Sequence, residues 1–160
     1  MSVTSVRKDP EARTMTIVAE FDAPAPRVWR LWADPAKLAR WWGPPTHPAT
    51  VTEHDLSPGG RVAYHVTGPG GERRDGWWSV LTVQPPTALT FELGDPDIPP
   101  VAMRVSLEEL PGGRTRMTIE ASFGTDGDMR LMISIGFAEG MAAAVGQIDG
   151  VLQAAEGGVH

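Results

Sequence analysis

The chain has 160 residues, 14 basic and 20 acidic side chains, a net charge of −6 and no cysteine. This length predicts one domain, residues 1–160 with an ordered core at 14–154, and a hydrophobic share of 41% suffices for a core without disulfide or metal. The acidic excess argues against a nucleic-acid partner, and the missing cysteines exclude disulfide frameworks, zinc ribbons, iron–sulfur clusters and cysteine nucleophiles.

The amino-terminal residues 1–13 are polar, and no stretch approaches the roughly 18 apolar residues of a membrane-spanning helix. This pattern predicts neither a signal peptide nor a membrane span. We therefore expect a cytoplasmic location.

The first predicted element is a half-buried strand at residues 14–21, where apolar and polar side chains alternate. Two short helices follow it. Pro26 suits the first turn of one helix, and Asp34 caps the other, which begins at Pro35. Gly43, followed by two prolines, ends the second helix.

Six further strands follow, each bounded by turns rich in glycine or proline. They are predicted at residues 51–56, 61–67, 77–83, 89–93, 101–107 and 115–123. Adjacent short strands with tight turns between them are typical of an antiparallel meander.

The last predicted element is one long amphipathic helix at residues 128–152, roughly 40 Å long at 1.5 Å per residue. Its apolar side chains recur every three or four residues: Met129, Ile133, Phe137, Met141, Val145, Ile148 and Leu152. Such a stripe needs a broad apolar surface. We therefore predict an α+β fold in which a curved antiparallel sheet of about six to seven strands wraps this helix. A gap between helix and sheet would form a ligand cavity.

Short motifs occur in a characteristic order through residues 14–154. They include Phe21-Asp22-Ala23-Pro24, Val28-Trp29, Asp34-Pro35, Arg40-Trp41-Trp42-Gly43-Pro44, and the segments 55–61, 75–81, 115–119 and 140–149. In these motifs and their order, the chain resembles the START-like SRPBCC superfamily. Within that superfamily, it resembles the branch named after activators of the heat-shock-protein ATPase. The resemblance implies the helix-grip fold, in agreement with the predicted order of strands and helices.

Members of this superfamily bind lipids, sterols, plant hormones or polyketides, and some catalyse cyclisation or dehydration. The resemblance therefore implies a small-molecule-binding protein with an apolar cavity between the sheet and the C-terminal helix. Its ligand would be lipid-like, sterol-like or polyketide-like. Two alternatives stay open: a cyclase- or dehydratase-type enzyme acting in the same cavity, and an interaction module associated with stress or chaperones. The enzyme would need at least one buried ionisable side chain facing the cavity.

Eight large side chains are the predicted ligand contacts, because aromatic rings and adaptable thioethers suit variable apolar ligands. They are Trp41, Trp42, Tyr64, Trp78, Phe91, Met103, Phe137 and Met141. Adjacent strand residues point to opposite faces, and we expect Trp78 rather than Trp77 to face the cavity. Of Trp41 and Trp42, one should be buried and the other should border the entrance; the position of Leu38 favours Trp42 as the buried one.

The polar candidates for the cavity are His65, Asp75, Glu92, Arg104 and Glu139. Strand alternation should turn Arg104 away from the face of Met103, and helical spacing should turn Glu139 towards solvent. No catalytic residue is identified. The spacing of the histidines matches no compact zinc signature, so no metal site and no cofactor is predicted.

We also expect a homodimer. A meander leaves sheet edges, which native proteins cover or blunt. The glycine-rich helix face and the tryptophan-rich first half of the chain offer surfaces for such packing.

Overall fold

The computed structural model describes residues 3–157. Within them, one eight-stranded sheet is combined with two short helices after its second strand and three helices at the carboxyl end. The strands are β1 (Val3–Asp9), β2 (Thr14–Phe21), β3 (Ala49–His54), β4 (Arg61–Thr67), β5 (Arg73–Gln84), β6 (Ala88–Asp95), β7 (Ile98–Leu110) and β8 (Arg114–Phe123). The helices are α1 (Ala25–Ala33), α2 (Pro35–Leu38), α3 (Asp126–Ser134), α4 (Phe137–Val145) and α5 (Ile148–Gly157).

The sheet has the order β1-β2-β8-β7-β6-β5-β4-β3, and each neighbouring pair is antiparallel. Strands β3 to β8 form the predicted meander, and β2 pairs with β8 so that Ile17 lies opposite Ile119. The register shifts between Val80 and Thr82, an irregularity of the kind that bends a sheet. The predicted α+β helix-grip fold with its curved antiparallel sheet is confirmed.

Strand β1 is an eighth strand, one more than the upper limit of the prediction. It lies at the sheet edge, pairs with β2, and leaves most of its side chains exposed. A strand without a buried face shows no alternation of apolar and polar residues, so its polar sequence predicted no element. β1 also precedes residue 14, where the predicted core began.

The core lies between the inner face of the sheet and the helices. Every second residue of β2, from Met15 to Phe21, is buried, as the alternation predicted. Helix α1 adds Leu31 and Trp32 to the same core. Asp34 caps α2 as predicted, because its side chain accepts a hydrogen bond from the Ala36 N–H at 2.9 Å.

The prediction of one continuous helix at residues 128–152 is wrong, since α3, α4 and α5 occupy this stretch. Gly136, between α3 and α4, has a φ of +89°. This left-handed conformation ends an α-helix, and glycine adopts it without the steric cost of a Cβ atom. A second interruption, at Gly146 and Gln147, separates α4 from α5.

The apolar spacing still predicted the face that packs on the sheet. Its buried members are Met129, Met141, Val145, Ile148 and Leu152, and Ile133 and Phe137 pack against the core while partly buried. Within residues 3–157, no single helix is both long and apolar enough to cross a membrane. Helix α3 and residues 137–154 pass that test only as a pair, with a bend of 61° at the break between them.

The left-handed conformation of Gly136 gives a direct test of the break between α3 and α4. Gly136→Ala should destabilise the protein by about 1–2 kcal/mol, because a Cβ is unfavourable in this conformation. The matched control is Gly150→Ala inside α5, where an added Cβ would meet no atom within 4 Å. That control should stabilise the protein by up to about 1 kcal/mol. Urea denaturation measures both, and an equal gain in stability for both variants would contradict this account of the break.

Candidate functional site

Five aromatic rings pack together between the sheet and the segment that contains α1 and α2. They belong to Trp32, Trp41, Trp42, Trp78 and Phe91, and we call them the aromatic cluster. Trp78 and Phe91 stack with ring centroids 4.2 Å apart, and Trp42 meets Trp78 edge-on at 4.8 Å. Such ring pairs stabilise a fold beyond the area that they bury. This part of the interior is therefore occupied by the protein's own side chains.

A cleft of about 200 Å³ lies beside the aromatic cluster, between the sheet and α4. Much of its lining is apolar: Trp42, Pro44, Val66, Leu93, Ile98, Phe137 and Met141. Four polar side chains, Tyr64, Arg74, Asp75 and Asp95, also border it. An apolar wall with a few polar groups is the usual composition of a small-molecule site.

Helix α4 supplies one wall of the cleft. Phe137 follows directly after the left-handed Gly136, and its ring meets Phe123 edge-on with centroids 6.0 Å apart. Gly140 and Met141 lie about one turn further along the same helix. Because a Cβ at Gly140 would meet no atom within 4 Å, this glycine keeps space free at the cleft.

The structure divides the eight predicted ligand contacts into two sets. Trp42, Tyr64, Phe137 and Met141 line the cleft. Trp41, Trp78, Phe91 and Met103 lie buried in the core behind it. Trp78 faces inward, as strand alternation predicted, whereas Trp77 lies on the other face beneath the guanidinium of Arg61.

Both adjacent tryptophans are buried, and it is Trp42, which was expected to be the buried one, that also borders the cleft. Trp41 has no exposed surface, and its Nε1 donates to the Leu31 carbonyl oxygen at 2.9 Å. Trp42 keeps 7% of its surface exposed and borders the cleft. Helix α2 ends at Leu38, and in the turn that follows the Trp42 N–H still donates to the Leu38 carbonyl oxygen at 3.0 Å.

Tyr64 brings a hydroxyl group to the cleft. Its ring lies across Gly76 on the neighbouring strand, where an added Cβ would fall 2.6 Å from the hydroxyl oxygen. Burial raises the pKa of Tyr64 to about 12, although a hydrogen bond from the Trp42 indole acts in the opposite direction. The phenol is therefore neutral at physiological pH and can donate a hydrogen bond to a ligand.

An ion pair that the sequence did not predict also borders the cleft. Arg74 Nε donates to Asp95 Oδ2 at 2.9 Å, and the Asp95 side chain is only 12% exposed. This hydrogen bond raises the pKa of Arg74 above its ordinary value. Alternation along β5 places Arg74 on the same face as Gly76 and Trp78. The sequence therefore contained the information that Arg74 shares the face of Trp78. Its pairing with Asp95 depends on how two strands align, which neither strand's own pattern contains.

The polar candidates from the sequence are spread over the molecule. Glu92, Arg104 and Glu139 are exposed, His65 is partly buried, and Asp75 borders the cleft, though exposed. The outward orientations expected for Arg104 and Glu139 are confirmed. The Asp75 carboxylate accepts a hydrogen bond from Arg73 Nε at 3.0 Å. In the part of the chain that the structure describes, no three His, Asp or Glu side chains are grouped to hold a metal ion.

Gln147 connects the carboxyl-terminal helices to the turn that carries Trp42. Its Nε2 donates to the Gly43 carbonyl oxygen at 2.6 Å and to the Trp41 carbonyl oxygen at 3.3 Å. These carbonyls lie on either side of Trp42. The amide of Gln147 therefore fixes the backbone on which the Trp42 side chain depends.

Tyr64 offers a titration without interference, because it is the only tyrosine in the chain. Phenolate absorbance should show a midpoint at about 12 in the folded protein and near about 10 in denaturant. The folded protein holds this proton more tightly than the unfolded chain. The stability that this tighter binding of the Tyr64 proton contributes is therefore complete below about pH 10 and is lost as the pH rises towards 12. A folded-state midpoint near 10 would show that water solvates the hydroxyl.

Removing the Gln147 amide should loosen the Trp42 turn. Gln147→Leu leaves two backbone carbonyls without this donor, and we expect a loss of about 1–3 kcal/mol in the free energy of unfolding. Near-ultraviolet circular dichroism, which reports tryptophan packing, should change as well. The control is Gln153→Leu at an exposed position of α5, expected within about 0.5 kcal/mol of the wild type. Similar results for both variants would contradict the role of Gln147.

Comparison with known proteins places this geometry in a family. The family model described as Activator of Hsp90 ATPase homolog 1-like protein matches residues 22–153. A solved structure from Mycobacterium smegmatis is 41% identical, with a TM-score of 0.85, covering 96% of this chain and 99% of that chain. One from Arthrobacter aurescens is 44% identical, with a TM-score of 0.91, covering 95% of this chain and 92% of that chain.

A more distant structure, from Rhodobacter sphaeroides, shares the fold at 22% identity, with a TM-score of 0.81 and coverage of 94% of this chain and 99% of that chain. A comparison with curated protein sequences gave no match. The matched residues 22–153 include the aromatic cluster and the whole described lining of the cleft. The chain therefore belongs to the family of Activator of Hsp90 ATPase homolog 1-like proteins.

Proposed function

We propose that this protein binds a small apolar molecule in the cleft between the sheet and α4. The fold of its family is consistent with a ligand-binding domain. The observation that carries the proposal is the cleft itself. The side chains of Trp42, Phe137 and Met141 form apolar walls, and the neutral hydroxyl of Tyr64 lies in the same lining. The rings and the thioether would hold an apolar body, and the hydroxyl would orient it with a hydrogen bond.

The size of the cleft favours a compact ligand. Its volume of about 200 Å³ lies below the ~300–1,000 Å³ of sites that enclose drug-sized compounds. A small aromatic compound or the end of a lipid-like chain suits this volume. A sterol-like or polyketide-like compound would not be enclosed without a change in the surrounding side chains.

A cyclase- or dehydratase-type enzyme in the same cleft is the second candidate, and Tyr64 is the observation that favours it. A phenol with a pKa of about 12 is a hydrogen-bond donor to a carbonyl at neutral pH and not a base. Asp95 could supply a carboxylate, but Arg74 already engages that group at 2.9 Å. The Tyr64 hydroxyl and the Asp95 carboxylate therefore support binding and orientation of a ligand more strongly than abstraction of a proton from it.

The matched pair Gly140→Leu and Gly150→Leu tests the binding proposal. Both glycines are helical and have no atom within 4 Å of an added Cβ, but Gly140 borders the cleft and Gly150 lies on α5. The side chain added at position 140 would fill the cleft. The probes are acetophenone, octanoic acid and cholesterol, with thermal shift and calorimetry as the measurements.

We expect acetophenone or octanoic acid to stabilise the wild type and Gly150→Leu, and cholesterol to leave them unchanged. Gly140→Leu should weaken binding at least tenfold, because it occupies the space of the ligand. If none of the probes binds the wild type, or if Gly140→Leu binds them as well as the wild type does, the cleft is not the site.

A further inference from the structure

A second space, larger than the cleft, lies where the β1–β2 hairpin faces helix α3. Its volume is about 850 Å³, and its described lining shares no residue with that of the cleft. This volume falls within the ~300–1,000 Å³ of sites that take small molecules. We call this space the hairpin groove, and define it by Lys8, Glu11 and Arg13 of the hairpin and Met129, Arg130 and Ile133 of α3.

The position of β1 at the sheet edge explains why this space is open. Val6 of β1 lies opposite Ile17 of β2, so both side chains are on the inner face of the sheet. Ile17 is fully buried, whereas Val6 keeps 41% of its surface exposed. A smaller space of about 370 Å³ lies between Val6 and Ala142 of α4, and Lys8 borders both spaces. The helices therefore cover β2 but leave the inner side of β1 partly open.

The apolar part of the hairpin groove comes mainly from α3. Met129 and Ile133 lie four residues apart, so they share one face of this helix. Met129 is buried, Ile133 packs against the core while partly buried, and both line the groove. Pro10 adds an apolar surface from the hairpin. A continuous surface of this kind suits an alkyl chain.

Three cations border the same groove, and they differ in how far they are already engaged. Arg13 Nε lies 3.3 Å from Asp126 Oδ1. Lys8 Nζ lies 3.8 Å from Glu139 Oε2, which is too far for a hydrogen bond. Arg130 is exposed and has no ion-pair or hydrogen-bond partner among the residues that the structure describes. Arg130 is therefore the cation that is free to bind an anion.

The charges of the lining favour a negative head group. The lining carries three positive and two negative side chains, although the whole chain has a net charge of −6. Of the two carboxylates, Asp126 is engaged by Arg13, and Glu11 lies on the turn of the hairpin. Glu139 lines only the smaller space. An anion in the groove would be attracted by Arg130 and Lys8, and Glu11 would oppose it.

We propose that the hairpin groove is a second ligand site, which binds an anionic amphipath with a single alkyl chain, such as a fatty carboxylate. The alkyl chain lies on Met129 and Ile133, and the carboxylate bonds to the guanidinium of Arg130, whose planar donors match its two oxygens. This site goes beyond the proposed function and does not depend on it, because Met129 lines only the groove and Met141 only the cleft.

Four probes test the chemistry of the site by calorimetry below their micelle concentrations: decanoate, butyrate, decanol and decyltrimethylammonium. Decanoate should bind at least about tenfold more tightly than butyrate, because only decanoate has a chain long enough to cover the apolar surface. It should also bind about threefold more tightly than decyltrimethylammonium, which has the opposite charge. Equal affinities for decanoate and decyltrimethylammonium would show unspecific detergent binding and would overturn the proposal.

Three variants with one altered charge each test the role of the head group. Arg130→Gln should weaken decanoate binding about two- to fivefold, and Glu11→Gln should strengthen it by up to about twofold. Neither should change the affinity for decanol. The matched control is Arg104→Gln, which removes the same charge from an exposed position of β7 and should leave decanoate binding unchanged. Equal effects of Arg130→Gln and Arg104→Gln would overturn the assignment of Arg130.

Methyl signals of the methionines separate this site from the cleft. In protein labelled with ¹³C at the methionine methyl groups, decanoate should shift the signal of Met129, and acetophenone should shift that of Met141. If decanoate shifts only Met141, the groove is not its site and the proposed function remains. If decanoate shifts Met129 but no probe of the cleft shifts Met141, the proposed function fails and the groove remains.

Discussion

The edge-on contact of Trp42 with the Trp78–Phe91 stack is the interaction on which the rest of the structure depends. It joins three parts of the chain: the turn after α2, strand β5 and strand β6. Gln147 adds a fourth part, because its amide holds the backbone on both sides of Trp42. Through these contacts, the short helices, the sheet and the carboxyl-terminal helices are packed around one group of rings.

The same rings determine how much space is left for a ligand. They occupy the interior between the sheet and the short helices, and a cleft of about 200 Å³ remains beside α4. Gly136 ends α3 and so allows α4 to begin at Phe137, on the wall of that cleft. Tyr64, Asp75 and the Arg74–Asp95 ion pair supply its polar groups, which lie beside an apolar wall.

Sequence patterns predicted the strands that have one buried face, because burial of alternate side chains is what produces the pattern. Strand β1 lacks such a face and was not predicted. The helical stripe identified the buried face of the carboxyl-terminal helices but not the break at Gly136, since a left-handed glycine leaves the spacing of the apolar residues nearly unchanged. The family resemblance and the helix-grip fold followed from the order of motifs. The partner of Arg74 and the separate environments of Trp41 and Trp42 depend on contacts between distant segments, which no local pattern contains.

The central claim of this account is that the contact of Trp42 with the Trp78–Phe91 stack holds the sheet, the short helices and the carboxyl-terminal helices together. Urea denaturation of Trp42→Ala tests it directly. The account predicts a loss of about 3–5 kcal/mol in the free energy of unfolding, the range for deletion of a large aromatic side chain from a core. A loss below about 1 kcal/mol would contradict it.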